Sequence, residues 1–107
     1  EIRRGNHYDA ILMDPPSYGR GPGGEVWKIE EKIHDLVKLC AKLLSDNPVF
    51  FIINSYTTGL QPAVLSYIIN TEITAYFGGK VRADEIGLPV TSNGLTFPCG
   101  CSARWSL

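Results

Sequence analysis

The sequence predicts an α/β fold: two strand–helix units building a parallel sheet, β-α-β-α, followed by a terminal antiparallel β-hairpin. Three observations carry this. Two short, largely apolar runs each end on polar residues, as strands buried on both faces do. Each run is followed by a segment whose apolar residues recur at helical spacing. The last third turns to strand-like stretches joined by Ser92-Asn93-Gly94, which is hairpin turn chemistry.

The first run is Tyr8-Asp9-Ala10-Ile11-Leu12-Met13-Asp14, stopped by Pro15-Pro16. A Gly- and Pro-rich loop is expected from Ser17 to Gly24. From Glu25 to about Ser45, Val26, Ile29, Ile33, Leu36/Val37, Cys40 and Leu43/Leu44 mark the inner face of a first helix. Asp46-Asn47-Pro48 breaks it. Val49-Phe50-Phe51-Ile52-Ile53-Asn54 is the second run. Pro62 opens a second helix, Ala63 to about Tyr76, with Val64/Leu65, Ile68/Ile69 and Ile73 inward and Gly78-Gly79 at its end. Val81–Val90 and Thr96–Ser106 make the hairpin. Strand–helix units in tandem imply parallel pairing.

At 107 residues and 44% apolar content the chain reads as one unit, 1–107, with a hydrophobic core. Ten Lys and Arg against 11 Asp and Glu leave a net charge of -1, so any nucleic-acid contact must come from a local patch. No apolar stretch approaches the ~20 residues of a membrane span, and no secretory signal is visible. Cys40, Cys99 and Cys101 are too few for a disulfide framework, which points to a reducing cytoplasm. Cys99 and Cys101 share a strand face but have no second pair. His7 and His34 lack ligand-like spacing to them, so no metal site is expected. Glu1 to Asn6 looks like the end of a helix stopped by Gly5 and Asn6, an expectation that something lies upstream.

Ligands of open α/β sheets sit beyond the carboxyl ends of the strands. Two polar strand ends can therefore line one crevice: Asp14-Pro15-Pro16-Ser17-Tyr18, and Asn54-Ser55-Tyr56. The prolines fix the backbone and leave carbonyl acceptors beside a carboxylate, which suits the N–H edge of a base, with a tyrosine to stack on its ring. Gly19-Arg20-Gly21-Pro22-Gly23-Gly24 satisfies G-x-G-x-x-G literally, but a dinucleotide fingerprint turns almost directly off its strand, and here Asp14 to Tyr18 intervene. The next strand also ends on Asn54 and Ser55 instead of an acid. The loop is expected to be mobile and substrate-facing, with Arg20 or Lys28 available for phosphate. A non-catalytic nucleotide-binding module using Gly19–Gly24 is the rival reading. Glu25, Trp27 and Lys28, placed at the helix start, suit either substrate contact or scaffold. Arg104 and Trp105 point to opposite faces, so at most one reaches the crevice.

Asp14-Pro15-Pro16-Ser17-Tyr18-Gly19-Arg20-Gly21, followed by Gly24-Glu25-Val26-Trp27-Lys28, resembles bacterial class I S-adenosylmethionine-dependent methyltransferases. The group concerned holds the 23S ribosomal RNA enzymes of the cytosine-C5 and guanine-N7 type. The resemblance covers essentially the whole chain and implies a partial Rossmann-like sheet, whose first strand here matches the family's fourth. It implies that the family's first three strands, with the cofactor's Gly-rich loop and ribose-binding acid, are missing. This chain would then be the carboxyl-terminal part of the domain, inactive alone, with S-adenosyl-L-methionine as the full-length parent's cofactor and RNA as its partner. Asp14, Pro15 and Pro16 match the motif lying between methyl donor and target base, and Tyr18 goes with them on the catalytic side. From the crevice reading, Ser17, Gly19, Arg20, Lys28, Asn54, Ser55 and Tyr56 are the candidate substrate contacts. One departure matters: cytosine-C5 chemistry needs a cysteine nucleophile, placed by relatives just after the second strand, where this chain has Asn54-Ser55-Tyr56. A ring nitrogen, which already has a lone pair, needs mainly positioning. The uncovered edge of the first strand is expected to pair, giving a homo-oligomer.

Overall fold

The computed structural model describes all 107 residues. Strand β1 (Ala10–Met13) is followed by a small hairpin, β2 (Tyr18–Arg20) and β3 (Val26–Lys28), and then helix α1 (Ile29–Ala41). Strand β4 (Phe50–Ser55) leads into helix α2 (Pro62–Ile69), a π-helical turn at Asn70–Thr74, and the short α3 (Ala75–Phe77). Strands β5 (Lys80–Pro89) and β6 (Thr96–Ser106) close the chain. The main sheet has the order β1-β4-β6-β5, with β1 and β4 parallel and both β6 contacts antiparallel. The expected parallel units and terminal hairpin are therefore present, and β6 inserts between β4 and β5.

Cross-strand register explains the core. Phe51 lies beside Trp105, Ile53 beside Ala103 and Ser55 beside Cys101, all buried on one face. Ile29, Ile33 and Val37 of α1 and Leu65, Ile68 and Ile69 of α2 cover that face, as helical spacing predicted. Trp105 is fully buried, and its indole N–H donates to the Gly78 carbonyl at 2.8 Å. The opposite face carries Ala10, Leu12, Phe50 and Ile52, none of which belongs to the buried core. Leu12 is 66% exposed.

Two expectations need correcting. The first helix does not begin at Glu25: Val26, Trp27 and Lys28 form a strand, and α1 starts at Ile29 with Lys28 extended at its N-cap. It ends at Ala41, and single turns carry the chain to Leu44. Nor is Ser17–Gly24 an irregular loop. Tyr18 pairs with Lys28, Gly19 with Trp27 and Arg20 with Val26. Helical spacing and strand alternation coincide over three residues, so periodicity alone could not separate them. In the second helix the π-turn adds a residue at Asn70–Thr74, where the Thr71 hydroxyl donates to the Tyr67 carbonyl one turn back at 2.8 Å.

Candidate active site

Because β1 and β4 run parallel with Met13 beside Ile53, their carboxyl ends emerge together and bring Asp14 next to Asn54. Tyr56 follows one residue after β4. The Asp14 carboxylate beside its hydroxyl pushes the phenol above its ordinary range, since ionisation would face a second negative charge. Burial and the nearby Cys99 act in the same direction, while the Asn54 side chain opposes them. Asp14, Asn54 and Tyr56, read from two separate strand ends, thus meet in one cluster.

The Asp-Pro-Pro loop is braced from three sides. The Thr57 hydroxyl donates to Ser17 Oγ at 2.6 Å, tying it to the loop after β4. The Trp27 indole donates to the Pro16 carbonyl at 2.6 Å, and the Ile29 amide donates to the Ser17 carbonyl at 3.1 Å. The Pro16 carbonyl is thus already engaged by Trp27, which leaves Pro15 as the proline whose acceptor stays open. Trp27 is scaffold: half-buried, it packs against the core and props up Pro16.

The β2–β3 hairpin sorts the remaining candidates. Pairing puts Tyr18, Arg20, Val26 and Lys28 on one exposed face and Gly19 with Trp27 on the inner one. Arg20 Nε donates to the Tyr18 hydroxyl at 3.1 Å. The outer face therefore offers two cations and an aromatic ring. The G-x-G-x-x-G run has no dinucleotide-binding geometry, because Gly19 is inside a strand and Gly24 lies five residues before α1. Its tip closes through Gly21 N–H to the Glu25 carbonyl at 2.8 Å.

Ser55 is 1% exposed, and its hydroxyl accepts the Thr57 amide at 3.3 Å, so it holds the turn after β4 and is closed to a ligand. Arg104 is outside the cluster, paired with Asp84 at 2.9 Å, and Trp105 is in the core.

Sequence reasoning missed what β6 contributes. Cys99 is the extra residue of a bulge: Ile86 pairs with Gly100 and Gly87 with Pro98, leaving Cys99 between them. Its thiol donates to the Ile86 carbonyl at 3.5 Å. A Cβ on Gly100 would collide with the Ser55 carbonyl and sit 2.9 Å from Tyr56 Cδ1, so only glycine lets the Tyr56 ring rest here. Gly100 between two strand cysteines was the available signal, since strand glycines mark bulges and close approaches. Cys101 is buried, its thiol donating to the Leu60 carbonyl at 3.3 Å; burial raises its pKa, with a contribution from Glu85.

No family model and no curated protein matches the chain. Solved structures do. The SAM-dependent methyltransferase from Agrobacterium tumefaciens superposes with a TM-score of 0.84 at 27% identity, over 97% of this chain and 34% of that one. The fold is that of a methyltransferase segment. SMU.776, a proposed methyltransferase solved with SAH bound, superposes with a TM-score of 0.60 at 22% identity, over 97% of this chain and 27% of its own length. The chain thus spans about a third of the Agrobacterium protein. The Asp14–Asn54–Tyr56 cluster stands at the carboxyl ends of the two parallel strands, where open α/β sheets place their ligands.

Proposed function

We propose that these residues form the target-side part of an S-adenosylmethionine-dependent methyltransferase acting on a nucleobase of RNA, ribosomal RNA foremost. The observation that carries the reading is the convergence of Asp14, Asn54 and Tyr56 at adjacent parallel strand ends, within a fold shared with SAM-dependent methyltransferases. The exposed Tyr18–Arg20–Lys28 face suits RNA: two cations for phosphates and a ring for a base, on a chain without overall positive charge. The three free cysteines suit a reducing bacterial cytoplasm; no helix is long and apolar enough to cross a membrane.

The cluster fits one side of the cofactor. Asp14 is exposed at the end of an edge strand, and the Pro15 carbonyl is open beside it, so both can face a cationic sulfonium. Bound there, the cofactor supplies an electrophilic methyl group. Asp14 and the Pro15 carbonyl orient the base by its N–H groups, with Asn54 beside them, and the Tyr56 ring supports the base plane. The remaining cofactor contacts come from polypeptide beyond these residues, and the 107 residues alone transfer no methyl group. A ring or exocyclic nitrogen is the favoured target, because no cysteine directly follows β4. Cys99 is the thiol whose charge Tyr56 feels, and therefore the one to test.

The uncovered β1 edge makes the isolated chain self-associate by strand pairing.

The activity test is transfer of a labelled methyl group from S-adenosylmethionine to unmodified ribosomal RNA by the full-length parent. Asp14→Ala should cut the rate about 100-fold or more, as loss of a positioning group does. Labelling of protein or small molecules with RNA left untouched refutes the RNA reading.

A further inference from the structure

At the far end of α1 from the Asp14 cluster lies a cavity of about 290 Å³, near the lower end of the roughly 300–1,000 Å³ of small-ligand sites. The Ile29 amide at the start of α1 is bonded to Ser17, beside the carboxyl end of β1, and the helix runs back from there. At ~1.5 Å per residue, Lys38 and Lys42 stand roughly 14–20 Å along its axis from that loop. Lys38, Ala41 and Lys42 form one wall of the cavity; Glu72, Tyr76 and Phe77 form the other. The two lysines are one helical turn apart, so both ammonium groups reach the same opening, and neither belongs to an ion pair. The Phe77 ring is tilted against Trp105 with centroids 6.0 Å apart, which fixes the floor to the core. Tyr76 is 79% exposed and stands at the rim.

The second wall is built by the π-helical turn Asn70–Thr74. Such turns are rare and occur frequently at functional sites. The Thr74 hydroxyl, buried in this turn, has no hydrogen-bond partner, a further local cost. The extra residue brings Glu72 to His34, whose Nε2 lies 2.9 Å from Glu72 Oε1, and the other carboxylate oxygen stays open. Two unpaired ammonium groups match a group with two negative charges. A phosphate monoester carries about −1.5 to −2 at pH 7, whereas a carboxylate or a phosphodiester carries one charge and leaves a lysine unmatched. The two rings and the lysine stems suit a flat, uncharged body, and the open Glu72 oxygen suits an amino group on it. We propose that the cavity between α1 and α3 binds a nucleoside 5′-monophosphate with an amino-bearing base. Its phosphate lies between Lys38 and Lys42, its base against Tyr76 and Phe77, and its amino group donates to Glu72. This site is separate from the Asp14 cluster and does not depend on the methyl-transfer reading.

Adenosine 5′-monophosphate is titrated into the isotope-labelled 107-residue chain, and backbone amide shifts are followed. It should shift Lys38, Ala41, Lys42, Tyr76 and Phe77 and leave Asn54 and Tyr56 unmoved. Adenosine and inorganic phosphate should each bind about tenfold or more weakly, and the double variant Lys38→Gln/Lys42→Gln should lose the same factor for the nucleotide. Both lysines are exposed, so this variant folds as the parent does. Inosine 5′-monophosphate, with a carbonyl in place of the amino group, should bind about threefold or more weakly. A 5′-phosphorylated RNA hexamer that binds more tightly than the mononucleotide supports the site with an RNA end as the source; equal or weaker binding supports it with a free nucleotide. Adenosine or phosphate binding as tightly as the nucleotide, equal binding of the inosine nucleotide, no shifts around the cavity, or an unchanged affinity in the double variant overturns the proposal. Tighter binding of phosphotyrosine amide also overturns it, and assigns the cavity to a phosphoprotein.

Discussion

Along β5, one outer strand of the sheet, Lys80, Arg82, Asp84 and Glu85 place charges on both faces; along β1, the other outer strand, Ala10, Ile11, Leu12 and Met13 carry none. Charged residues on an edge strand discourage pairing with another chain, whereas a flat apolar edge invites it. The sheet faces differ in the same direction. Next to β5 the face away from the helices is polar, with Arg104 bound to Asp84; next to β1 it is Leu12, Phe50 and Ile52, with no helix over them. Parallel strands are normally covered on both faces. The β5 side thus meets water with charges, the β1 side is apolar and uncovered, and the Asp14 cluster stands at the end of the apolar side. The proposal that further cofactor contacts come from other polypeptide draws on this contrast.

The largest effect should come from the covered face. Trp105→Ala removes a fully buried ring and its bond to Gly78, and should cost about 3–5 kcal/mol in denaturant unfolding. On the bare face, Leu12→Ala should change stability by no more than about 0.5 kcal/mol, because little is buried there. A large loss at Leu12 would mean that this face is already packed. Next in size is Gly100→Ala, whose added methyl meets the Ser55 carbonyl and Tyr56 and should cost about 1–3 kcal/mol by the same unfolding measurement.

The edges themselves are compared by sedimentation. Leu12→Lys should shift the isolated chain from dimer or larger toward monomer, while Arg82→Ala on β5 leaves its association unchanged. Equal sensitivity at both edges would end the contrast. A smaller, local effect is spectroscopic: Asp14→Asn should lower the pH at which Tyr56 ionises, followed by ultraviolet titration against Tyr56→Phe, because the neighbouring carboxylate charge raises it. In the full-length parent, Cys99→Ser should leave methyl transfer intact for a nitrogen target; abolition would establish cytosine-C5 chemistry with the nucleophile supplied by β6.

Much of this was legible in the sequence, because burial writes itself into composition. β4 is an apolar run with Phe51 and Ile53 buried, and the inward faces of α1 and α2 follow from spacing at Ile29, Ile33, Val37, Leu65 and Ile68. β1 is equally apolar, yet against the expectation of a strand buried on both faces it has no buried residue. Asp14, Asn54 and Tyr56 could be grouped because parallel strands must end together. What stayed hidden depends on contacts between distant segments. Val26 fits the apolar stripe of α1 yet is exposed on β3, since pairing with Arg20 overrides the local pattern. The insertion of β6 between β4 and β5 has no local signature either. Without it, Gly100 against Tyr56 could not be foreseen. The role of Ser55 was misread for a related reason: a polar strand end looks like a site residue until register turns it toward the helices.

The most direct measurement is a calorimetric titration of S-adenosylmethionine into the full-length parent and into the 107-residue chain. The account predicts saturable one-site binding by the parent and none by the short chain, whose Asp14 cluster faces only one side of the cofactor. Absence of binding by the parent, or equal binding by the short chain alone, would contradict it.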